Sequence, residues 1–332
     1  MKLIVAFLFL PMLSFGQNWV QIWSDEFDGG SLDFTKWEPE IGTGTWGWGN
    51  NELQYYTASP NNVFVDTGYL HIVGREQSFQ GSNYTSTRLK TEGLFDFQYG
   101  RVEARIKVPV DQGLWPAFWM LGSDFQTVGW PFCGEIDIME HVNNELKVHG
   151  TIHYDQWGHT YSGDFAWADA SIFHVYELEW DSDEIRWYLD GVQFHQEDIS
   201  SQSLSREEFH TPFFFILNLA IGGNWPGSPD ATTQFPATML VDYVRVFQEA
   251  NSVEEIFKPE LEISAYPNPA SDQLIITSQL DIQTFEVFNL QGAKLASGDG
   301  DQINVSNLAV GSYIVEATAV DGSVGRVSFI KE

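Results

Sequence analysis

Gly134-Glu135-Ile136-Asp137-Ile138-Met139-Glu140-His141 places three carboxylates within six residues, separated by apolar side chains and led by a glycine. As a strand, the run turns Glu135, Asp137 and Met139 to one face and Ile136 and Ile138 to the other. Glu140 then falls one residue out of step. A β-bulge at Ile138-Met139, with Met139 as the inserted residue, returns Glu140 to the face of Glu135 and Asp137. The product is a row of three acids backed by an apolar surface. Like charges in a row each raise the cost of ionising the next. The alternative is a half-exposed strand whose acids simply face water, and in a chain this acidic the neighbouring residues must decide.

Asn143-Asn144-Glu145 offers a turn, and Lys147 to Tyr154 alternates again, with His149, Thr151 and His153 on one face and Val148, Gly150 and Ile152 on the other. A hairpin through that turn places His153 near Glu135 and His149 near Glu140. A slip of one residue would send the histidines to the core side instead. Upstream, Trp115 and Trp119 are four apart in Leu114-Trp115-Pro116-Ala117-Phe118-Trp119-Met120 and share a strand face. They are either core residues or the floor of a cleft. Trp46-Gly47-Trp48-Gly49-Asn50-Asn51-Glu52 and Gly222-Gly223-Asn224-Trp225-Pro226-Gly227 are glycine-spaced loops carrying rings and amides. Such loops pack poorly but suit polyols: rings cover the apolar faces of a pyranose while Asn and Arg bond its hydroxyls. There is no His-Glu-x-x-His, and the acids with two histidines would ligate a cation only if all converged. A Gly-x-Ser-x-Gly elbow and a phosphate-binding glycine loop are absent too. Paired carboxylates among rings and amides fit glycosidic bond cleavage best.

The rest of the chain supplies the frame. Its 332 residues suffice for one large domain and one small. The 46 acidic residues against 16 basic ones, a net charge of −30, exclude nucleic acid and anionic membrane surfaces as partners. A single cysteine, Cys133, permits no intramolecular disulfide and reads as a small buried side chain. Met1-Lys2 and the apolar run from Leu3 to Leu13 have the layout of a signal peptide over residues 1–16, so the protein is expected to be secreted. Residues 17–248 are strand and turn almost throughout. Examples are Gly68–Val73, Arg101–Val108, Tyr176–Trp180, Glu184–Leu189, the nearly continuous apolar run Phe213–Ile221, and Asp242–Phe247, with a hairpin turn at Asp190-Gly191. They predict an all-β sandwich of two packed antiparallel sheets. Residues 249–262 read as a linker. Residues 263–332 predict a small immunoglobulin-like β-sandwich with strands near Gln273–Ser278, Thr284–Asn289 and Gly311–Ala319, and turns at Gln291-Gly292 and Asp321-Gly322.

Glu135-Ile136-Asp137-Ile138-Met139-Glu140 resembles the Glu-x-Asp-x-x-Glu signature of family 16 glycoside hydrolases, in the bulged form typical of laminarinases. Trp48–Tyr56, Trp115–Trp119 and His149–His153 resemble laminarinases as well, and the similarity runs from about Trp23 to Phe247. The resemblance implies a concanavalin-like β-jelly roll with a cleft on its concave sheet. It implies a secreted endo-β-1,3-glucanase that retains anomeric configuration. Mixed-linkage β-1,3-1,4-glucan or a marine galactan as substrate, or a non-catalytic β-glucan-binding protein, are the alternatives. On the matching positions Glu135 would be the nucleophile, Glu140 the acid and base, and Asp137 their assistant. A retaining pair needs its carboxyls about 5–5.5 Å apart. Strand spacing alone leaves their backbones about 13 Å apart at ~3.3 Å per residue, so the bulge, sheet curvature and side-chain lean must close the gap. Asn50, Arg88, Trp115, Trp119, His153 and Trp225 would line the glycone subsites. A structural calcium would be held by Glu26, the Gly68 carbonyl and Asp242, oxygen ligands that suit a hard cation. No cofactor is expected for catalysis. The C-terminal unit resembles type nine secretion sorting domains through Tyr266-Pro267-Asn268-Pro269, Gly311–Val315 and Gly325–Lys331. That implies secretion machinery as a partner beside the polysaccharide substrate. A small carbohydrate-binding module is the rival, but the unit has no Trp and only two Tyr. The protein is expected to act as a monomer.

Overall fold

Polar and apolar residues alternate through Gly100–Lys107, and the strand they form buries Val102, Ala104 and Ile106 while Arg101, Glu103 and Arg105 stay half-exposed. The same period makes strands of His174–Trp180, Glu184–Leu189 and Ala237–Glu249. Asp190 and Gly191 take φ of 49° and 76°, the left-handed pair that a tight hairpin needs, and join Glu184–Leu189 to Val192–Asp198. The structure, a computed structural model, describes residues 19–200, 206–250, 261, 263–289, 294–320 and 323–332. The expected signal peptide, most of the expected linker, and the turns at Gln291-Gly292 and Asp321-Gly322 lie outside the described residues.

Two compact units are present, one spanning Trp19–Gln248 and the other beginning at Glu249. The first is a sandwich. Its ten-stranded sheet runs in the order Val192–Asp198, Glu184–Leu189, His174–Trp180, Gly100–Lys107, Ala237–Glu249, Tyr69–Phe79, Ser82–Ser86, Gln54–Tyr56. Trp19–Asp25 adds to Ala237–Glu249, and Val63–Asp66 to Tyr69–Phe79. The seven-stranded sheet runs His159–Trp167, Lys147–Asp155, Glu135–Glu140, Leu114–Gly122, Phe213–Ile221, Arg88–Lys90, Glu38–Glu40. The pairings of the seven-stranded sheet are antiparallel, and in the ten-stranded sheet Gln54–Tyr56 runs parallel to Ser82–Ser86.

All nine residues of Phe213–Ile221 are buried, as its nearly continuous apolar run, broken only by Asn218, predicts. Phe213, Phe215, Leu217, Leu219 and Ile221 enter the core between the sheets. Phe214 and Ile216 turn to the other face and pack with Leu121 and Cys133 in a small separate cluster. Cys133 is fully buried there, and burial pushes its thiol up to about 12, so it is inert filling, as expected. The C-terminal unit has a three-stranded sheet, Ile263–Tyr266, Gln273–Ser278 and Gln302–Asn304. A four-stranded sheet, Lys294–Asp299, Ile282–Asn289, Gly311–Ala319 and Val324–Lys331, packs with it around Leu274, Ile276, Val287, Val315 and Phe329. The all-β architecture therefore stands in both units.

Candidate active site

Glu135–Glu140 is third from one edge of the seven-stranded sheet. Against Lys147–Asp155 it pairs Glu135 with His153, Asp137 with Thr151 and Glu140 with His149, and the register shifts between Asp137 and Glu140. Against Leu114–Gly122 it pairs Asp137 with Trp119, Met139 with Phe118 and Glu140 with Ala117. The bulge falls at Ile138-Met139 as expected. On this second side the residue without a partner is Ile138, not Met139. Both are apolar and both turn into the core, so the extra residue is absorbed inward whichever one slips. Glu140 thereby returns to the face of Glu135 and Asp137, opposite the apolar Ile136.

Each acid has its own escort. The Trp130 indole N–H donates to Glu135 Oε2 at 2.9 Å. The Trp115 indole N–H donates to Glu140 Oε1 at 2.9 Å. His153 Nε2 lies 3.2 Å from Asp137 Oδ2 and 3.8 Å from Glu135 Oε1, within ion-pair reach but off the axis of a hydrogen bond. Its Nδ1 meets His159 Nε2 at 2.8 Å. Trp187, from the opposite sheet, donates its indole N–H to the Asp137 carbonyl at 2.8 Å and lies beneath Gly150, where a Cβ would collide with its ring. That bond ties down the start of the bulge from inside the core.

Burial first, and then the Asp137 carboxylate, pushes Glu135 up to about 7. The same two causes hold Glu140 well above the usual carboxylate range. Burial would lower His153, but Asp137 and the neighbouring glutamates prevail and raise it to about 9. The site thus sets a Glu140 pushed strongly toward its protonated form beside a Glu135 raised to about 7 and a His153 raised to about 9. Glu135, Asp137 and His153 bring ligand atoms within 4.8 Å of one another.

The expected substrate residues gather on the same face. The Arg88 guanidinium lies 4.6 Å from the Trp48 ring centre and 4.8 Å from that of Trp119, and pairs with Glu40. Trp119 Nε1 donates to Asn218 Oδ1 at 2.7 Å, and Asn218 donates on to the Tyr56 hydroxyl. Trp225 packs edge-on against Trp115, 5.5 Å between ring centres, and lies 5.0 Å from the His149 ring. Asn50 reaches the group through its backbone carbonyl, which accepts from Asn224 N–H at 2.8 Å. Trp130, Asn218, Glu40 and Trp187 went unread in the sequence. Of these only Trp130 left a signal, a tryptophan five residues before Glu135 in a loop.

Residues 50–245 match the family model described as Glycosyl hydrolases family 16. The chain belongs to that family. Residues 264–331 match the model of the secretion system C-terminal sorting domain. The family 16 unit is similar to the laminarinase catalytic domain of Thermotoga maritima, at 43% identity and a TM-score of 0.64, covering 71% of this chain and all of that one. It is similar to the laminarinase of Rhodothermus marinus at 41% identity and a TM-score of 0.65, covering 70% and 99%. Among curated relatives, the Clotting factor G alpha subunit of Tachypleus tridentatus is 40% identical over 74% of this chain and 36% of its own length. The Beta-glucanase of Rhodothermus marinus is 42% identical over 70% of this chain and 86% of its own. The chain therefore spans about a third of the first of these proteins and most of the second.

The expected calcium ligands of the family 16 unit do not form an open cage. Both Glu26 oxygens take Arg245, at 2.9 and 2.7 Å, and Asp242 Oδ2 takes Arg105 at 2.5 Å. Each acid carries an arginine partner, which an ion there would have to displace.

Trp187→Phe removes the donor to the Asp137 carbonyl and leaves a buried acceptor unpaired beside a small cavity. A stability loss of about 2–4 kcal/mol is expected from those two effects together. Urea unfolding of the variant measures it, and an unchanged midpoint would show that the bond contributes nothing.

Proposed function

We propose that the chain cleaves β-1,3-glucan internally and with retention of configuration. The observation that carries this is that the bulge brings Glu135 and Glu140 to one sheet face, each held by its own indole N–H. In the first step the Glu135 carboxylate attacks the anomeric carbon. The bond from that carbon to the bridging oxygen breaks as Glu140 gives the oxygen its proton. In the second step Glu140 takes a proton from water, the hydroxide bonds to the anomeric carbon, and Glu135 leaves. Asp137, with the His153 imidazolium beside it, sets the charge on both glutamates. Arg88, Trp119, Trp115, Trp225, His153 and Asn50 hold the glycone by stacking and hydroxyl contacts. The substrate reading draws support from the laminarinases and the β-glucanase that the unit resembles.

The test is product analysis on laminarin, lichenan and agarose, with the configuration of the first product read by NMR. Laminarin cleavage to β-configured oligosaccharides is expected. Failure to cleave laminarin overturns the substrate, and an α-configured first product overturns the mechanism. Lichenan cleavage beside laminarin would extend the substrate to mixed-linkage glucan, the second reading. The C-terminal unit is proposed to direct export to the cell surface or medium, with the catalytic unit acting as a monomer.

Calcium at Glu26, the Gly68 carbonyl and Asp242 is a separate proposal, and it requires the ion to displace the Arg245 and Arg105 pairs. The expected result is a rise in Tm of about 2–4 °C in calcium over EDTA, lost in Asp242→Asn. Equal melting temperatures in the two media would refute it.

A further inference from the structure

We propose that Glu135, Asp137 and His153 bind a divalent transition metal of the zinc type, and that the bound ion switches hydrolysis off; the switching rests on the role given above to Glu135, the binding does not. The sequence leaves room for a cation only if acids and histidine converge, and here they do. Ligand atoms of the three residues lie within 4.8 Å of one another, and among the described residues no other trio of His, Cys, Asp and Glu comes together in this way. The bulged hairpin makes the approach: Glu135 is the cross-strand partner of His153, and Asp137 follows two residues along on the same face.

The spacing fits a small cation. His153 Nε2 stands 3.2 Å from Asp137 Oδ2 and 3.8 Å from Glu135 Oε1. A tetrahedral zinc with bonds of about 2.0–2.2 Å holds its ligands about 3.3–3.6 Å apart, so small rotations of these side chains suffice. The Asp137 side chain is the second observation. Asp137 is 3% exposed, and its Oδ2 finds no hydrogen bond. A buried carboxylate oxygen without a donor is costly, and a cation beside it removes that cost.

The neighbours orient the other two ligands and leave their free atoms inward. Trp130 donates to Glu135 Oε2, so Oε1 is the oxygen turned to His153. His153 Nδ1 meets His159 Nε2 at 2.8 Å. A metal on Nε2 leaves the ring proton on Nδ1, and His159 stands where it accepts that proton. Ligating imidazoles take such an outer partner, which fixes both tautomer and ring direction. Glu135 and His153 are partly exposed, so the ion enters from the cleft and water completes its shell. One imidazole with two carboxylates suits zinc, whereas calcium and magnesium call for about six or more oxygens. Binding releases the proton that His153 Nε2 would otherwise carry. A carboxylate that ligates zinc is a weaker nucleophile, so the ion and the reaction exclude each other.

The experiment is a calorimetric titration of the full chain with zinc chloride at pH 8, where fewer protons compete, in excess calcium so that any all-oxygen site is already filled. One zinc per chain is expected. His153→Gln and Asp137→Asn each remove a ligand and should weaken binding about 100-fold or more, while His159→Phe removes only the outer partner and should weaken it about tenfold. Glu140→Gln keeps all three ligands and should bind as wild type does. A measurement on wild type alone guards against misfolded variants: zinc should shift the ring NMR signals of His153 and His159 and leave those of His71 and His174, on the other sheet, in place. No uptake of zinc at submillimolar concentrations, unchanged affinity in both ligand variants, or shifts at His71 and His174 in place of His153 overturns the site. Laminarin hydrolysis should fall at least about tenfold with zinc bound and return with EDTA. Undiminished hydrolysis overturns the switching. A wild-type protein that never cleaves laminarin overturns instead the functional reading, and the switching with it, while the titration by itself still decides the binding.

Discussion

Glu135→Gln abolishes hydrolysis and makes the protein harder to unfold at pH 8. The activity loss is expected to be about 10³-fold or more on both laminarin and a nitrophenyl glycoside, because no carboxylate remains to attack the anomeric carbon. Glu140→Gln behaves differently. It loses about 10²–10⁴-fold on laminarin, whose leaving oxygen needs a proton, and far less on the nitrophenyl glycoside in the first step, whose leaving group departs unprotonated. Azide separates the roles further. In Glu135→Ala it enters the space of the lost carboxylate and gives an α-glycosyl azide. In Glu140→Ala it attacks the glycosyl-enzyme from the opposite side and gives a β-glycosyl azide. Exchanged azide products would reverse the assignment of the two glutamates, and full activity in a Glu135→Ser variant would end it.

The stability gain follows from the same burial. Glu135 is raised in the folded protein to about 7 from an ordinary 4.5, chiefly by desolvation and then by Asp137. A raised carboxyl favours the fold fully only below its unfolded value. That contribution fades as pH climbs from 4.5 through 7, because the unfolded chain ionises freely and the folded one does not. Glutamine is neutral throughout and avoids the loss. The variant should therefore match wild type near pH 4, pull ahead between pH 5 and 7, and hold a gain on the order of 2–3 kcal/mol above that. Urea midpoints across this pH range measure the gain. A variant no more stable than wild type at pH 8 would mean that the folded protein ionises Glu135 without cost.

Two-residue periodicity made much of this readable from sequence, because a strand face is a local property. Glu184–Leu189 and Gly311–Ala319 were placed by alternation or turn chemistry without knowledge of any partner. Even the pairing of Glu135 with His153 followed, since the bulge fixes which face each strand must share. The unread residues reach the site across the chain. Trp187 meets the Asp137 carbonyl from 50 positions away and from the other sheet, and Arg88 pairs with Glu40 across 48. No period encodes such contacts. Trp130 stands only five residues from Glu135, yet it lies in a loop, where direction is set by backbone turns that alternation does not describe. The choice of Met139 as inserted residue failed for a simpler reason. Ile138 and Met139 are both apolar, the core accepts either, and only the neighbouring register distinguishes them.

The pH profile of kcat/KM should be bell-shaped, with its acid limb close to neutrality and not near pH 4.5. The active form needs Glu135 ionised and Glu140 protonated. Glu135 gains its proton as pH falls through about 7, and below that the nucleophile is lost. The alkaline limb lies higher, where Glu140, held up by burial and by Asp137, finally ionises. The three acids and His153 exchange charge, so each limb belongs to the set and not to one residue. His153 gives the sign of the test. Its charge, present below about 9, favours the ionised forms of its acidic neighbours and so keeps both limbs lower than they would otherwise be. The His153 charge is itself stabilised by Asp137, and His159, whose own value is lowered by burial and by His153, can accept its Nδ1–H as a neutral ring. His153→Gln removes that charge and keeps a hydrogen-bonding group. The acid limb should then move up by about one pH unit, costing about tenfold at pH 6 and much less at pH 8. Profiles of the two proteins on one oligosaccharide measure the shift. An acid limb that stays in place, or moves down, would show that His153 does not set the charge of Glu135, and the imidazolium would have to leave the account of the mechanism.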